Sequence, residues 1–223
     1  MTDANASTLV VDIGGNQIKI LAPGYKKPLK IPSGPSLNPK KLARGVRGAL
    51  HGLSFDRVSI GFPGPVVDGR LVGEPVNLAP GWLGFDFRKE FGRPVRLIND
   101  AAMQALGSYN GGRMLFLGLG TGLGSALIIN GVLQPLELGQ MPYKKGKSYE
   151  GYLGRRGLAQ LGKKKWRQEV WKVVKLLKSG LQVDDVVLGG GNSKKLKELP
   201  PGARLGDNAN AFVGGLRLWD RAA

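Results

Sequence analysis

The sequence predicts an α/β protein built from two similar halves, and three observations predict it. Short apolar runs of β character alternate with segments whose apolar residues recur at helical spacing. A strand, glycine turn, strand pattern occurs twice, at residues 8–21 and again at 114–129. Hydrophobic residues make up 42% of the chain, enough to fill cores of this kind and too many for a disordered basic tail.

In the first half, Leu9 to Val11 is an apolar β run leading into Asp12 and the Gly14-Gly15 turn, and Gln17 to Leu21 alternates as a second strand. Lys26 to Ile31 is expected to add a third. Pro39 to Leu53 reads as a helix, with Leu42, Val46, Ala49 and Leu50 on one face and basic residues on the other. Arg57 to Gly61 is a strand ending at Pro63-Gly64-Pro65. Val66 to Val76 is expected to be a hairpin around Asp68-Gly69, and Phe85 to Phe91 a short helix. Val95 to Ile98 is a strand that hands over at Asn99-Asp100 to a helix opening with Ala101 to Leu106.

The second half repeats the scheme. Met114 to Leu117 is a strand, Gly118 to Gly124 a glycine loop, Ser125 to Asn130 another strand, and Val132 to Leu138 a third. Glu150 to Leu161 and Lys165 to Leu177 read as two helices. Val183 to Leu188 is a strand feeding Gly189-Gly190-Gly191 and then a helix, and residues 206–220 close the chain as a capped helix. The boundary falls near residues 99–112, which gives an N-terminal lobe over 1–100 and a C-terminal lobe over 101–223. The last helix is able to pack back on the first lobe. A cleft between such lobes is the natural ligand site.

Composition narrows the chemistry. Lys and Arg number 33 against 16 Asp and Glu, a net charge of +17, which calls for an anionic partner: nucleic acid, a membrane surface or a polyanionic small molecule. Cysteine is absent and His51 is the single histidine. That excludes disulfides, thiolate nucleophiles and any Cys/His zinc site, and it leaves acid–base work to a carboxylate. Met114 to Leu136 is uncharged and long enough to span a bilayer. Its glycines and Pro135 split it into strands, so no membrane span is expected. The N-terminus lacks a basic region of the signal-peptide kind, and the protein is expected in the cytoplasm.

Four motifs carry candidate chemistry. Asp12-Ile13-Gly14-Gly15 sets a carboxylate beside two residues without Cβ atoms, where backbone N–H groups can approach an anion. Asp12 could hold Mg²⁺ through water, and Lys19 adds a positive charge; an ordinary hairpin turn is the alternative. In Gly118-Leu119-Gly120-Thr121-Gly122-Leu123-Gly124, the glycines could wrap phosphate oxygens with Thr121 donating; a closely packed hairpin is the alternative. The loop is neither a P-loop nor a Rossmann turn. Asn99-Asp100 at the strand-to-helix handover fits an N-cap. It equally fits a general base, because a helix N-terminus favours the charged carboxylate. Gly190 and Gly191 in Val187-Leu188-Gly189-Gly190-Gly191-Asn192 suit a phosphate at a helix N-terminus, or simply a tight turn. From spacing alone, Glu137 and Glu150 could be sugar-hydroxyl acceptors or surface acids.

Taken in order, VVDIGGNQIK, VSIGFPGPV, NLAPGW, RLINDAAMQAL, LFLGLGTGLGSALIINGVL, LELGQ and VVLGGGN resemble the ROK sugar-kinase family, and within it the polyphosphate glucokinases. The resemblance covers nearly the whole chain. It implies the actin-like ATPase (ribonuclease H-like) fold, two lobes around a central cleft, and a homodimer. It also implies phosphoryl transfer from polyphosphate or ATP to a sugar hydroxyl with Mg²⁺. By the same resemblance, Asp12, Gly14, Gly15 and Lys19 belong to the first phosphate motif, and Gly118, Gly120, Thr121 and Gly122 to the second. Asp100 matches the catalytic base. Asn77, Asn99, Glu137, Gln140 and Glu150 match sugar-binding positions. Gln140 stands where the family's E-x-G-H motif has histidine, so it can hydrogen-bond a hydroxyl but cannot be a cation. The zinc cysteines of many members are absent, as they are in polyphosphate glucokinases. Nucleic acid is not an expected partner: the first strand starts near residue 8 and leaves no room for a helix-turn-helix, and no zinc-finger or RNP pattern appears.

Overall fold

The computed structural model describes residues 6–207 and 209–220. They form two compact units, one from the residues up to Met103 together with those from Ala211 onward, the other from Gln104–Asn210.

The first runs β1 (Thr8–Ile13), β2 (Gln17–Leu21), β3 (Leu29–Pro32), α1 (Pro39–Leu50), β4 (Arg57–Phe62), β5 (Val66–Val67), β6 (Arg70–Leu71), α2 (Phe87–Phe91), β7 (Val95–Asn99) and the start of α3 (Asp100–Ser108). Its sheet has the order β3-β2-β1-β4-β7, antiparallel on the β2 side of β1 and parallel on the β4 side. All six β1 residues are buried, as expected of a strand covered on both faces. Leu42 and Val46 of α1 join β1 and β2 in a core that also holds Phe62 and Trp82. Asn38 caps α1 by accepting from the Lys41 N–H at 2.9 Å, and Pro39 occupies its first turn. His51 ends the helix in left-handed conformation, a structural post for the one histidine.

The second unit runs β8 (Arg113–Leu119), β9 (Leu123–Ile129), β10 (Val132–Leu136), β11 (Pro142–Lys144), β12 (Lys147–Ser148), α4 (Tyr149–Leu153), α5 (Arg155–Gly180), β13 (Asp185–Gly189) and β14 (Ala203–Leu205). Its sheet order is β10-β9-β8-β13-β14, again antiparallel on one side of the leading strand and parallel on the other. Counting only its own strands in chain order, each sheet runs third, second, first, fourth, fifth. The repeat legible at residues 8–21 and 114–129 is therefore a repeat of topology. The core of the second unit gathers β8 and β13 with Trp166, Val170 and Val173 of α5. The closing helix α6 (Asn210–Arg217) packs in the first unit, where the buried Ser59 hydroxyl donates to Gly215 O at 2.6 Å.

Several boundaries differ from the sequence expectations. The glycine loop is shorter than 118–124, because β8 and β9 stay paired through Gly118–Gly124 and Leu119–Leu123. The buried leucines hold the ladder closed, and only Gly120-Thr121-Gly122 turns. No helix succeeds Gly189-Gly190-Gly191. A single 3₁₀ turn at Ser193–Lys195 is all that forms before the chain extends through Leu196, since Lys194, Lys195 and Lys197 offer no apolar stripe. The helix expected over Glu150 to Leu161 is split at Gly154 into α4 and the start of α5, and the one expected over Lys165 to Leu177 lies inside α5 beyond Gly162, which is non-helical (φ 70°, ψ 161°). The third strand starts at Leu29 rather than Lys26, after Pro28. The hairpin at Asp68-Gly69 is only two residues a side, and both of its turn residues have positive φ. β11, β12 and β14 are too short to show a period and were not expected. The uncharged run Met114 to Leu136 is β8 to β10, and among the described residues no helix is long and apolar enough to cross a membrane.

Candidate active site

In the first unit the site is built around the β1–β2 turn. Asp12 and Lys19 are paired across β1 and β2, so period-2 geometry sends both side chains to one face. Lys19 Nζ lies 3.3 Å from Asp12 Oδ2. Asp12 is buried. Burial pushes its carboxyl above the usual range, and Lys19, by charge and by hydrogen bond, pulls it back. Gly14 is required by space: its N–H donates to Gln17 O at 3.0 Å, and a Cβ there would meet that oxygen at 2.9 Å. A Cβ on Gly15 would stand 3.8 Å from Cβ of Asn77, which places exposed Asn77 beside the turn.

On the other side of β1, the backbone at Asp100 packs over β4. Asp12 is the register partner of Gly61 on β4, and a Cβ on Gly61 would lie 3.5 Å from the Asp100 Cα. The missing side chain of Gly61 thus makes room for the Met103 side chain, the nearest group, and for the backbone of the first turn of α3 at Asp100. Asn99 fixes that turn. Its Oδ1 accepts from Ala101 N at 2.9 Å and from Ala102 N at 3.2 Å, while its Nδ2 donates to Gly64 O at 3.1 Å. Asn99 is therefore the helix cap, with one N–H left for a ligand. Asp100 is half-buried, and its Oδ1 accepts from Ala101 N at 2.8 Å.

In the second unit Glu150 braces the glycine loop. Its Oε2 accepts from Leu123 N at 3.1 Å. Oε2 is 2.3 Å from where a Cβ on Gly122 would be and 3.5 Å from one on Gly139. Gly139 also packs so closely on Leu123 that a Cβ would meet its carbonyl at 2.6 Å, which explains the glycine of LELGQ. Ser125, an unforeseen positioning residue, donates to Leu136 O at 2.8 Å and accepts from Leu138 N at 3.0 Å, holding Glu137 at the start of its turn. Partial burial and the negative charge of Glu150 keep the Glu137 carboxyl above its ordinary range. Gln140 is exposed at the end of the same turn.

The remaining phosphate candidates divide by role. Gly118 is a strand residue between Gly124 and Gly189 rather than part of a loop. Gly120 and Gly191 have open space where a Cβ would be, whereas one on Gly190 would strike Leu119 O at 2.5 Å. Thr121 is exposed at the tip. Asn192 was legible only as the end of a motif, yet it ties the two glycine segments together. Its N–H donates to Leu119 O and its Nδ2 to Gly120 O, both at 2.9 Å.

Among the described residues no three His, Cys, Asp or Glu cluster to hold a metal. The donor set at Asp12 suits Mg²⁺ held through water, since one buried carboxylate offers no full cage and magnesium keeps several waters.

A model of the ROK family matches residues 8–139. The chain is similar to a polyphosphate glucokinase of Mycobacterium tuberculosis (strain ATCC 25177 / H37Ra), with 28% identity over 207 residues, covering 84% of this chain and 72% of that one. Among solved structures it resembles an inorganic polyphosphate/ATP-glucomannokinase from Arthrobacter sp. strain KM, at 25% identity and TM-score 0.82, covering 97% of this chain and 99% of that one. A ROK family glucokinase from Streptomyces griseus, solved with glucose and AMPPNP, shares the fold at 18% identity and TM-score 0.70, covering 95% of this chain and 98% of that one.

Proposed function

The chain belongs to the ROK family and is a phosphotransferase with an alcohol group as acceptor, and we propose that it moves the terminal phosphoryl group of polyphosphate, with ATP as a second donor, to the 6-hydroxyl of glucose or a related hexose. The observation that carries the reading is the backbone of Asp100 packed over Gly61, the register partner of buried Asp12.

In this reading Asp100 takes the proton of the sugar hydroxyl as that oxygen bonds to phosphorus, and the bridging P–O bond to the rest of the donor breaks. Phosphoryl transfer depends chiefly on positioning and charge neutralisation. The Gly14 and Gly120 N–H groups close their own turns on Gln17 O and Gly122 O, so the N–H groups of Gly15, Gly122 and Gly191 and the Thr121 hydroxyl are the donors to phosphate oxygens. Lys19 supplies positive charge. Asp12 would hold Mg²⁺ through water, and the ion would neutralise donor phosphates. The resemblance gives Glu137, Gln140 and Glu150 of the second unit the role of sugar-hydroxyl partners, and the same role to Asn77 and Asn99 of the first. A neutral amide at Gln140 orients a hydroxyl without charge. A cytoplasmic homodimer belongs to the same reading, and sedimentation of the purified protein checks the dimer.

A coupled assay over a panel of hexoses, run once with ATP and once with polyphosphate, tests the proposal. Turnover of glucose with polyphosphate is expected. Absence of turnover with every sugar and both donors would overturn it.

A further inference from the structure

We propose that the second unit carries an extended polyanion track that begins at the glycine loop and runs along α5, occupied by the part of a polyphosphate chain lying beyond the reacting phosphates. The inference rests on the polyphosphate reading above and adds where the long donor runs.

The loop and α5 belong to one hydrogen-bonded platform. The Arg155 N–H donates to Thr121 O at 3.1 Å. On the other side of the loop, Asn192 Nδ2 donates to Gly120 O at 2.9 Å, and Lys195 Nζ donates to Asn192 Oδ1 at 2.6 Å. Arg167 Nε on α5 then donates to Lys195 O at 2.6 Å. A ligand leaving the loop in either direction meets cations fixed to the same frame.

The charge on that platform is unbalanced. Arg155, Arg156, Lys163, Lys164 and Lys165 are exposed. The one acid of α5, Glu169, is already engaged by Lys144 and Lys172. Most charge runs are solvated faces balanced by nearby acids, and here the balance is missing.

The cations also stand where the helix disfavours them. Arg155 and Arg156 open α5 behind Gly154, with no side-chain cap and no acid in the first turn. Gly162 breaks the helical dihedrals, so Lys163 to Lys165 occupy the first turn of the restarted segment. A cation in a first turn opposes the helix dipole. An anion laid across both turns converts the same field and the same lysines into attraction. Six residues, Gly162 among them, separate Arg156 from Lys163, and a linear chain of regularly spaced charges can engage both groups.

Fluorescence anisotropy of end-labelled long-chain polyphosphate, against tripolyphosphate, tests the track without requiring turnover. K163Q/K164Q/K165Q is expected to weaken long-chain binding roughly tenfold or more. It should also flatten the salt dependence by about one unit of log–log slope for each phosphate no longer neutralised, by analogy with nucleic-acid backbones. Tripolyphosphate binding should hold, and K163R/K164R/K165R should bind long chains like the parent. An unchanged long-chain Kd in the glutamine variant, or equal losses for both lengths, would overturn the track. Equal affinity for single-stranded RNA of matched charge, lost in parallel, would make the strip a nucleic-acid surface and overturn it too. Binding by the track with no turnover of any sugar would sink the kinase proposal alone. Polyphosphate-driven turnover with an unchanged Kd in the glutamine variant would sink the track alone.

Discussion

Glu150 Oε2 occupies the space that a side chain on Gly122 would need, 2.3 Å from the position of its Cβ, and the same oxygen receives the Leu123 N–H. The acid therefore sets the exit of the glycine loop, and its second oxygen stays available to a hydroxyl. Gly122→Ala must push Glu150 aside. The expected cost is about 1–3 kcal/mol, read as a lower Tm, together with lost turnover. Gly120→Ala is the matched control, because its Cβ meets nothing within 4 Å. It should keep its stability within about 0.5 kcal/mol yet raise KM for the phosphate donor, since the methyl fills the space proposed for phosphate.

The Glu137 and Glu150 carboxyls repel. Removing the Glu150 charge with Glu150→Gln should move the Glu137 midpoint down towards the ordinary carboxylate value, leaving only the contribution of burial. Linkage gives the sign for stability. Native Glu137 takes up its proton at a higher pH than the unfolded chain does. Its ionisation therefore costs stability as pH rises from the unfolded midpoint through the native one, and protonation returns it below that window. Carboxyl NMR titration of both proteins checks the shift, and an unmoved Glu137 midpoint would mean that the two acids do not interact.

Trp219 anchors the end of the chain to the first sheet. Its ring lies under the guanidinium groups of Arg57 and Arg96, 5.0 and 4.7 Å from the centroid. Its Nε1 donates to Ser59 Oγ at 2.8 Å, and Arg96 also donates to Leu218 O. Trp219→Ala removes two cation–π interactions and a hydrogen bond, an expected loss of about 2–4 kcal/mol measurable by urea denaturation. A midpoint unchanged from the parent would show that this anchor contributes little.

The sheets were legible in the sequence because their strands are apolar, alternate, and end at glycine or proline. Asp12, Asn99 and Asp100 stand out for the same reason, as polar residues at the ends of such strands. The loop length was misjudged because Gly118 and Gly124 look like turn residues and are strand residues, kept in the ladder by Leu119 and Leu123. The helix expected after Gly191 does not form, because glycines mark a turn without fixing the conformation of the next segment. Glu150 read as a free acid, since nothing local announces that its partner is a backbone N–H 27 residues away. Ser125 and Gly61 escaped for a similar reason: their roles are long-range packing and have no local period.

Replacing Asp100 with Asn is the measurement that bears most directly on the proposed chemistry. The substitution keeps size and the acceptor for the Ala101 N–H while removing the base. Turnover of glucose with polyphosphate should fall by roughly 10²–10⁴, the range for a lost general base, with KM for the sugar changed much less. A kcat near that of the unaltered protein would contradict the account.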